Sequence, residues 1–360
     1  MIIKTYQSYV IKTYISLLLQ ITLIFFGLIL ILNVFDEISY FKDLNVNGFY
    51  PVLMSVLNST SLLYSIFPFI FLISTQFFFI RIDEKNELLL FKHSGLTNFD
   101  IIKILSIVSL LIGIFIVTFF YHFSSKLKHI HLDIKNQLSK DNKYLAVVTE
   151  NGLWMKDELD EIVSIINADS IKQNTLINTS ITQFNKNFEF IQNIEAKKVT
   201  IKKDYWLIEE AIISKDEMQP MIQKNLVFKT NFSLDRINSL FSNLFSLTLW
   251  QLNKLKKDYQ SLGYSTLEVD THTLKIYSYP FYLMIMTVFS SIIMLNIKKD
   301  KPKIFNLILG ILLSVIIYYI NYFSNLLGEN ERLPIYIAIW MPQIILILLS
   351  SIGLVKINEK

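Results

Sequence analysis

The 360-residue chain contains no cysteine. A disulfide framework, a thiol nucleophile and a cysteine-based metal site are all excluded, and redox chemistry is silent about compartment. Glycine is scarce, nine residues in the whole chain, so flexible linkers have little to be made from; no internal repeat or low-complexity stretch is present. Charge is also in short supply. Only 18% of residues are charged against 52% hydrophobic, with a mean hydropathy of +0.43, whereas an average soluble domain carries roughly 25% charged residues. Catalytic signatures are missing too. Without GxxxxGK[ST] there is no phosphate-cradling loop, so this chain alone is not expected to hydrolyse ATP, and neither HExxH nor GxSxG occurs. His122, His129 and His131 cluster in sequence, but their spacing does not suit one helix face, and they read as polar interface residues rather than metal ligands.

What the chain does have is apolar length. Six segments, 14–35, 60–80, 104–123, 276–297, 304–323 and 335–355, hold no Asp, Glu, Lys or Arg. Each can cross a hydrocarbon core of about 30 Å, which takes about 20 apolar residues. The first is too long for the core of a signal peptide and no small-residue cleavage site follows it, so it reads as a retained anchor. Flanking charge sets an expected orientation. With both termini in the cytoplasm, Lys4, Lys12, Arg81, Lys85, Lys92, Lys103, Lys298, Lys299, Lys301, Lys303, Lys356 and Lys360 lie inside, against Lys42 and Arg332 in the two short outer loops. The net charge of +4 is then mostly a topology signal, and a nucleic-acid partner loses its support.

Residues 124–274 differ in texture. They hold 19 Lys and Arg and 19 Asp and Glu, and the orientation places them outside. "KYLAVVTE" (143–150), "GLWMK" (152–156), "EIVSII" (161–166), "TLINTSITQF" (175–184), "NFEFIQNIEAKKVTIKKDYWLIEEAII" (187–213) and "NLVFKTNF" (225–232) mix alternation with β-branched and aromatic residues between Asn, Asp and Lys turns. Many short strands predict a sandwich or jelly roll. "SLTLWQLNKLKKDYQSLG" (246–263) predicts an amphipathic helix returning to the membrane, with Gly263 as its stop. The predicted class is a membrane α+β protein: spans one to three in 1–123, a β-jelly-roll-like domain in 124–274, and spans four to six in 275–360.

One polar segment interrupts the first half. "EKNELLLFKHSGLTNFDIIKI" (84–104) sits between two spans. Arg81, Glu84, Lys85, Glu87 and Lys92 surround the apolar strip Leu88, Leu89, Leu90 and Phe91, which predicts a short helix over about 84–95. Ser94-Gly95 breaks it, and Thr97-Asn98-Phe99-Asp100 has the form of a capping box, so the third span's helix is expected to begin at Thr97. Its apolar side fits either a partner's groove or the lipid headgroups.

N-E-L followed by K-H-S-G-L at 86–96, just after the second of six spans, resembles the E-L…R/Q-A-S-G-L segment of the LptF/LptG permease family, the membrane subunits of the lipopolysaccharide exporter. The resemblance covers essentially the whole chain. It implies that Arg81, Glu84, Glu87, Leu88, Phe91, Lys92, Ser94 and Gly95 form a coupling helix that docks on an LptB-like ATPase dimer, which binds ATP and Mg²⁺ in place of this chain. It implies three further partners: a second, LptF-like permease, LptC, and LptA-like jelly rolls. The setting it implies is the bacterial inner membrane, with residues 124–274 in the periplasm. "NGLWMKD" (151–157) and "LPIYIAIWMPQIIL" (333–346) look more like LptG, although Gln343 replaces the usual Asn. "NVFDEISYFKD" (33–43) is similar to the end of the first LptG helix, with Asn33 where a basic residue can occur.

Lipopolysaccharide joins several acyl chains to an anionic phosphorylated head, so an exporter needs an apolar cavity rimmed by cations. Phe25, Phe26, Ile29, Leu32 and Phe35 on the first span and Ile316, Ile317, Ile320 and Phe323 on the fifth are candidates for the first, with lipid contact or packing as the alternative. Lys42 and Arg332 are candidates for phosphate, Arg332 bidentately. Asp36 and Glu37 face either the cavity or water. A membrane-anchored sensor would lack a reason for six spans, and an ion-coupled transporter would be expected to bury ionisable groups within them. A permease for another lipid is the nearest competitor.

Overall fold

The computed structural model describes residues 5–42, 47–138, 153–159, 161–172, 174–202, 205–216, 219–234, 237, 243–261, 264–296 and 303–358. The strand expected at 143–150 and the stop at Gly263 lie outside them. In chain order the elements are α1 (Thr5–Phe41), α2 (Tyr50–Glu84), α3 (Glu87–His93), α4 (Asn98–Phe115), a π-helical turn (Ile116–Phe120) and α5 (Tyr121–Leu138). Strands follow: β1 (Leu153–Leu159), β2 (Ile162–Lys172), β3 (Thr175–Phe184), β4 (Phe190–Ile201), β5 (Tyr205–Glu209), β6 (Ala211–Ser214), β7 (Met221–Gln223) and β8 (Leu226–Lys229). A 3-10 turn (Leu244–Ser246) precedes α6 (Leu249–Ser261), α7 (Leu267–Leu295), α8 (Lys303–Glu329) and α9 (Ile335–Asn358). The chain divides into a helical unit, 1–128 with 267–360, and a second unit, 129–266.

Among the described residues six helices are long and apolar enough to cross a membrane, α4 and α5 counting as one through their π turn. At 37 residues, α1 is about 55 Å long, so its ends extend beyond the hydrocarbon. The most buried helix is α2, which packs against α1, α7 and α8, while α7 also packs against α4 and α9. Because lipid is as apolar as leucine, such helices find one another through small residues and polar contacts. A Cβ on Gly113 of α4 would lie 2.8 Å from the Pro280 Cα of α7, and one on Gly310 of α8 would meet the Gln76 amide of α2. The Gln76 Nε2 donates to the Asn306 carbonyl at 3.0 Å.

Four helices also share a buried hydroxyl cluster. The Tyr14 hydroxyl of α1 lies 3.0 Å from Ser109 of α4, 3.2 Å from Thr287 of α7 and 3.4 Å from Thr75 of α2, and Ser109 and Thr287 are 2.8 Å apart. Hydrogen bonds of this kind average only about 0.6 kcal/mol within a bilayer. Their directionality fixes the rotation of each helix more than it adds stability.

The second unit holds an antiparallel sheet that forks. Strands β1 to β4 form a meander; the far end of β4, Lys198–Ile201, then pairs with β5, which carries β8, while Asn193–Glu195 pairs with β6, which carries β7. The stretch read at 187–213 is thus three strands, with Glu210 at φ 53° between β5 and β6. Alternation along β1 leaves Leu153 and Met155 buried and Trp154 exposed; on β5, Trp206 is fully buried and its Nε1 donates to the Phe232 carbonyl at 2.8 Å. Burial raises the pKa of the Tyr264 phenol, partly offset by the bond its oxygen accepts from the Lys156 N–H at 2.8 Å.

Asp157 locks β1 to the end of β8. Its carboxylate accepts from the Thr230 hydroxyl at 2.5 Å, the Asn231 N–H at 3.1 Å and the Asn231 Nδ2 at 2.9 Å. Asp157→Ala leaves these donors unmatched in a buried place, an expected loss of about 2–3 kcal/mol. Thermal unfolding of the purified chain, followed through tryptophan emission, should show a clear fall in midpoint. An unchanged midpoint would mean that the turn is held by something else.

Candidate functional site

The segment between α2 and α4 is built by two left-handed residues. Asn86, at φ 55°, turns the chain out of α2, and Gly95, at φ +80°, ends α3. The Leu96 N–H returns to the Phe91 carbonyl and the Gly95 N–H to the Lys92 carbonyl, both at 3.0 Å, which is the Schellman arrangement of a helix end. At Thr97 the expected capping box is present: the Asp100 N–H donates to the Thr97 Oγ1 at 3.2 Å and the Thr97 N–H to the Asp100 Oδ2 at 2.9 Å. A seven-residue helix is thereby joined at both ends to long helices through hydrogen-bonded turns.

Within α3 the apolar run splits between two faces. Leu88 and Phe91 turn inward against the cluster of Val10, Tyr14, Phe78, Ile82, Ile101 and Leu105, whereas Leu89 and Leu90 are exposed, Leu90 by 62%. Leu88 and Phe91, two of the residues that the resemblance assigns to a partner, are half-buried against this cluster. Leu89 and Leu90 are the outward pair that the sequence reading did not single out. Glu87 is held by the Tyr9 hydroxyl of α1, which donates to its Oε1 at 2.7 Å, while its Oε2 is buried without a hydrogen-bond partner. Arg81 is half-buried in the last turn of α2, and Glu84, Lys92, Ser94 and Gly95 are exposed.

The opposite end of the bundle gathers polar groups. Asn33 is buried on α1, its Nδ2 donating to the Ser55 carbonyl at 3.1 Å and lying 3.4 Å from Ser59, while its Oδ1 accepts from Asn58 at 3.1 Å. The Lys128 Nζ of α5 donates to the Asn58 Oδ1 at 2.6 Å. A cation thus reaches the neighbourhood of Asn33 from another helix, through a residue the sequence reading passed over. One turn on, Glu37 is 1% exposed, whereas Phe35, Asp36 and Lys42 are exposed and Phe26 and Ile29 half-buried. On α8, Ile316, Ile320 and Phe323 are exposed but Ile317 is buried in the helix packing.

Arg332 stands just past α8. Glu331 adopts φ 57°, the Arg332 N–H returns to the Leu327 carbonyl at 3.0 Å, and Arg332 lines a cavity of ≈ 410 Å³ with Leu326, Leu327 and Asn330. Lys275, by contrast, is spent on Glu329 at 2.6 Å. The apolar surfaces of α1 and α8, both packed on α2, are otherwise open. In the second unit, the fork of the sheet encloses a groove of ≈ 600 Å³ whose floor includes Ile162, Ile194, Ile213 and Phe228, with Lys215 and Lys229 also lining it. Among the described residues no group of three His, Asp or Glu side chains could hold a metal ion.

No curated protein matches this sequence. A family model described as lipopolysaccharide export system permease LptF/LptG matches residues 8–356.

Proposed function

Since this chain belongs to the LptF/LptG family of lipopolysaccharide export permeases, a multi-pass inner-membrane protein and a member of the lipopolysaccharide transport complex, we propose the following division of labour among its parts. The chain is a non-catalytic permease subunit that pairs with a second, LptF-like permease above an LptB-like ATPase dimer, and nucleotide and Mg²⁺ are bound by that dimer. The observation that carries this reading is α3: a two-faced helix clamped at Asn86 and Gly95, seated by Leu88 and Phe91, presenting Leu89 and Leu90 beside a Glu87 whose side chain is 19% exposed. A groove in the ATPase takes the leucines and a cationic donor takes Glu87. Closure of the dimer then pushes α3, and the capping box at Thr97 passes the push into α4.

In the same reading the open faces of α1 and α8 hold the acyl chains, through Phe26, Ile29, Phe35 and Ile320, while Lys42, Lys128 and Arg332 meet phosphate. Asp36 stays in water, and Glu37 and Ile317 act through packing. Lipid squeezed from this space enters the forked groove of the β domain, whose apolar floor suits acyl chains, and LptC and LptA-like jelly rolls continue the path by strand pairing. The test is mass spectrometry of the protein purified gently from its native membrane. A second six-span permease, a Walker-motif ATPase and bound lipopolysaccharide are expected. Another lipid in the complex would overturn the substrate, and absence of any ATPase would return α3 to an interfacial helix.

A further inference from the structure

We propose that α6 is a membrane-surface helix whose outward stripe seats on the phosphate headgroups of the leaflet from which α7 rises. The stripe is Trp250, Asn253, Lys254 and Lys257. At 100° per residue these four fall within about one third of the helix circumference, opposite Leu252 and Leu255, which are buried. Rotation of the helix is set at its start, where the Thr248 N–H donates to the Gln251 Oε1 at 2.9 Å and the Gln251 N–H to the Thr248 Oγ1 at 3.4 Å. Trp250 is 82% exposed, the most exposed large apolar side chain among the described residues. An indole left in water is costly, and the place that suits its apolar ring and its N–H together is the headgroup region.

The lysines identify the occupant. Neither Lys254 nor Lys257 has an acidic partner among the described residues. A polypeptide partner would cover such a patch with its own acids, and lysine is depleted from the buried centre of protein interfaces. Phosphates, by contrast, accept an ammonium at the end of a flexible stem while the stem lies along apolar surface. Chain length supports the same occupant. Ser261 and Leu267 are six residues apart, a reach of at most about 20 Å, and a further nine residues of α7, about 14 Å of helix, lead from Leu267 to the apolar run that begins at Ile276. Docked in this way, α6 would restrain the end of the chain segment that joins the strands to α7, independently of what the permease carries.

The absence of cysteine makes the test direct. Trp250→Cys and, as a water-facing control, Glu209→Cys on the exposed end of β5 are each spin-labelled in the full-length chain in nanodiscs of phosphatidylglycerol or phosphatidylcholine. The label at 250 should be relaxed by oxygen and shielded from a water-soluble nickel reagent, and the label at 209 should behave in the opposite way. Adding Lys254→Glu with Lys257→Glu should move label 250 toward nickel accessibility in phosphatidylglycerol, with a smaller change in phosphatidylcholine. Equal nickel accessibility at 250 and 209 in both lipids overturns the proposal, as does shielding that appears only when a second polypeptide is added. Shielding indifferent to the charge reversal would overturn the assignment of the lysines to phosphate. Because the chain is studied alone, failure here leaves the ATPase and substrate reading untouched.

Discussion

Glu87→Lys should abolish co-isolation of the ATPase while leaving membrane insertion intact. Three effects act in one direction. The carboxylate sits in the first turn of α3, where it complements the helix dipole by roughly 0.3–1 kcal/mol, and a lysine there reverses that contribution. It also loses the bond from the Tyr9 hydroxyl at 2.7 Å, a bond to a charged group and so about 1.5–3 kcal/mol. Third, a cationic donor in the partner would face like charge, and truncating one member of such a pair across an interface alone costs about 2–5 kcal/mol. Two milder variants separate these roles. Tyr9→Phe removes only the bond inside the chain, whereas Glu87→Gln keeps the shape and removes the charge. If Glu87 meets the partner, Glu87→Gln weakens ATPase binding far more than Tyr9→Phe does. If it only positions α3, the two variants weaken binding alike, and undiminished co-isolation with Glu87→Lys would remove α3 from the interface.

The sequence made the spans legible because apolar length is an additive property that needs no knowledge of neighbours. The capping box at Thr97 was equally legible, being a local pattern whose two hydrogen bonds close within four residues. Which side of α3 faces out was not legible. Four apolar residues in a row, Leu88 to Phe91, show no period in a seven-residue helix, and only the position of Val10, Phe78 and Ile101 decides that 88 and 91 turn inward. The same limit applied to Ile317 and to Glu37. A membrane helix lacks the polar side that marks exposure in water, so burial depends on which helices pack together, here α2 against both α1 and α8. Lys128 was passed over for a related reason: its relation to Asn33 runs through Asn58 on a third helix. In the β domain, β3 was legible to the residue. The fork at β4 was not, since pairing partners are long-range, and the three-residue β7 is too short to carry alternation.

Gly113→Val is expected to be strongly disruptive within the membrane, and the comparison with Gly27→Ala shows why. A Cβ at Gly113 would approach the Pro280 Cα to 2.8 Å, its own Cβ to 3.1 Å and Leu283 to 3.4 Å. The nearest atom is backbone, so no rotamer change relieves the overlap, and α4 must move away from α7. That movement also pulls Ser109, one turn earlier on α4, from the Thr287 hydroxyl at 2.8 Å and from Tyr14 at 3.0 Å. Overpacking of a tight contact typically costs about 1–3 kcal/mol, and the opened hydroxyl cluster adds to it. The π turn at Ile116–Phe120 begins three residues later, so α4 already departs from regular hydrogen bonding beside the contact and offers a place for the helix to bend instead of unfolding. Gly27 of α1 has nothing within 4 Å of its would-be Cβ, and Gly27→Ala should be neutral or slightly stabilising, by up to about 1 kcal/mol from helix propensity. Thermal aggregation profiles of the detergent-solubilised variants decide the matter: a large drop for Gly113→Val with none for Gly27→Ala is the expected pair. Equal midpoints would show that α4 and α7 are not held at this contact and that the push proposed to enter at Thr97 reaches α7 by another route.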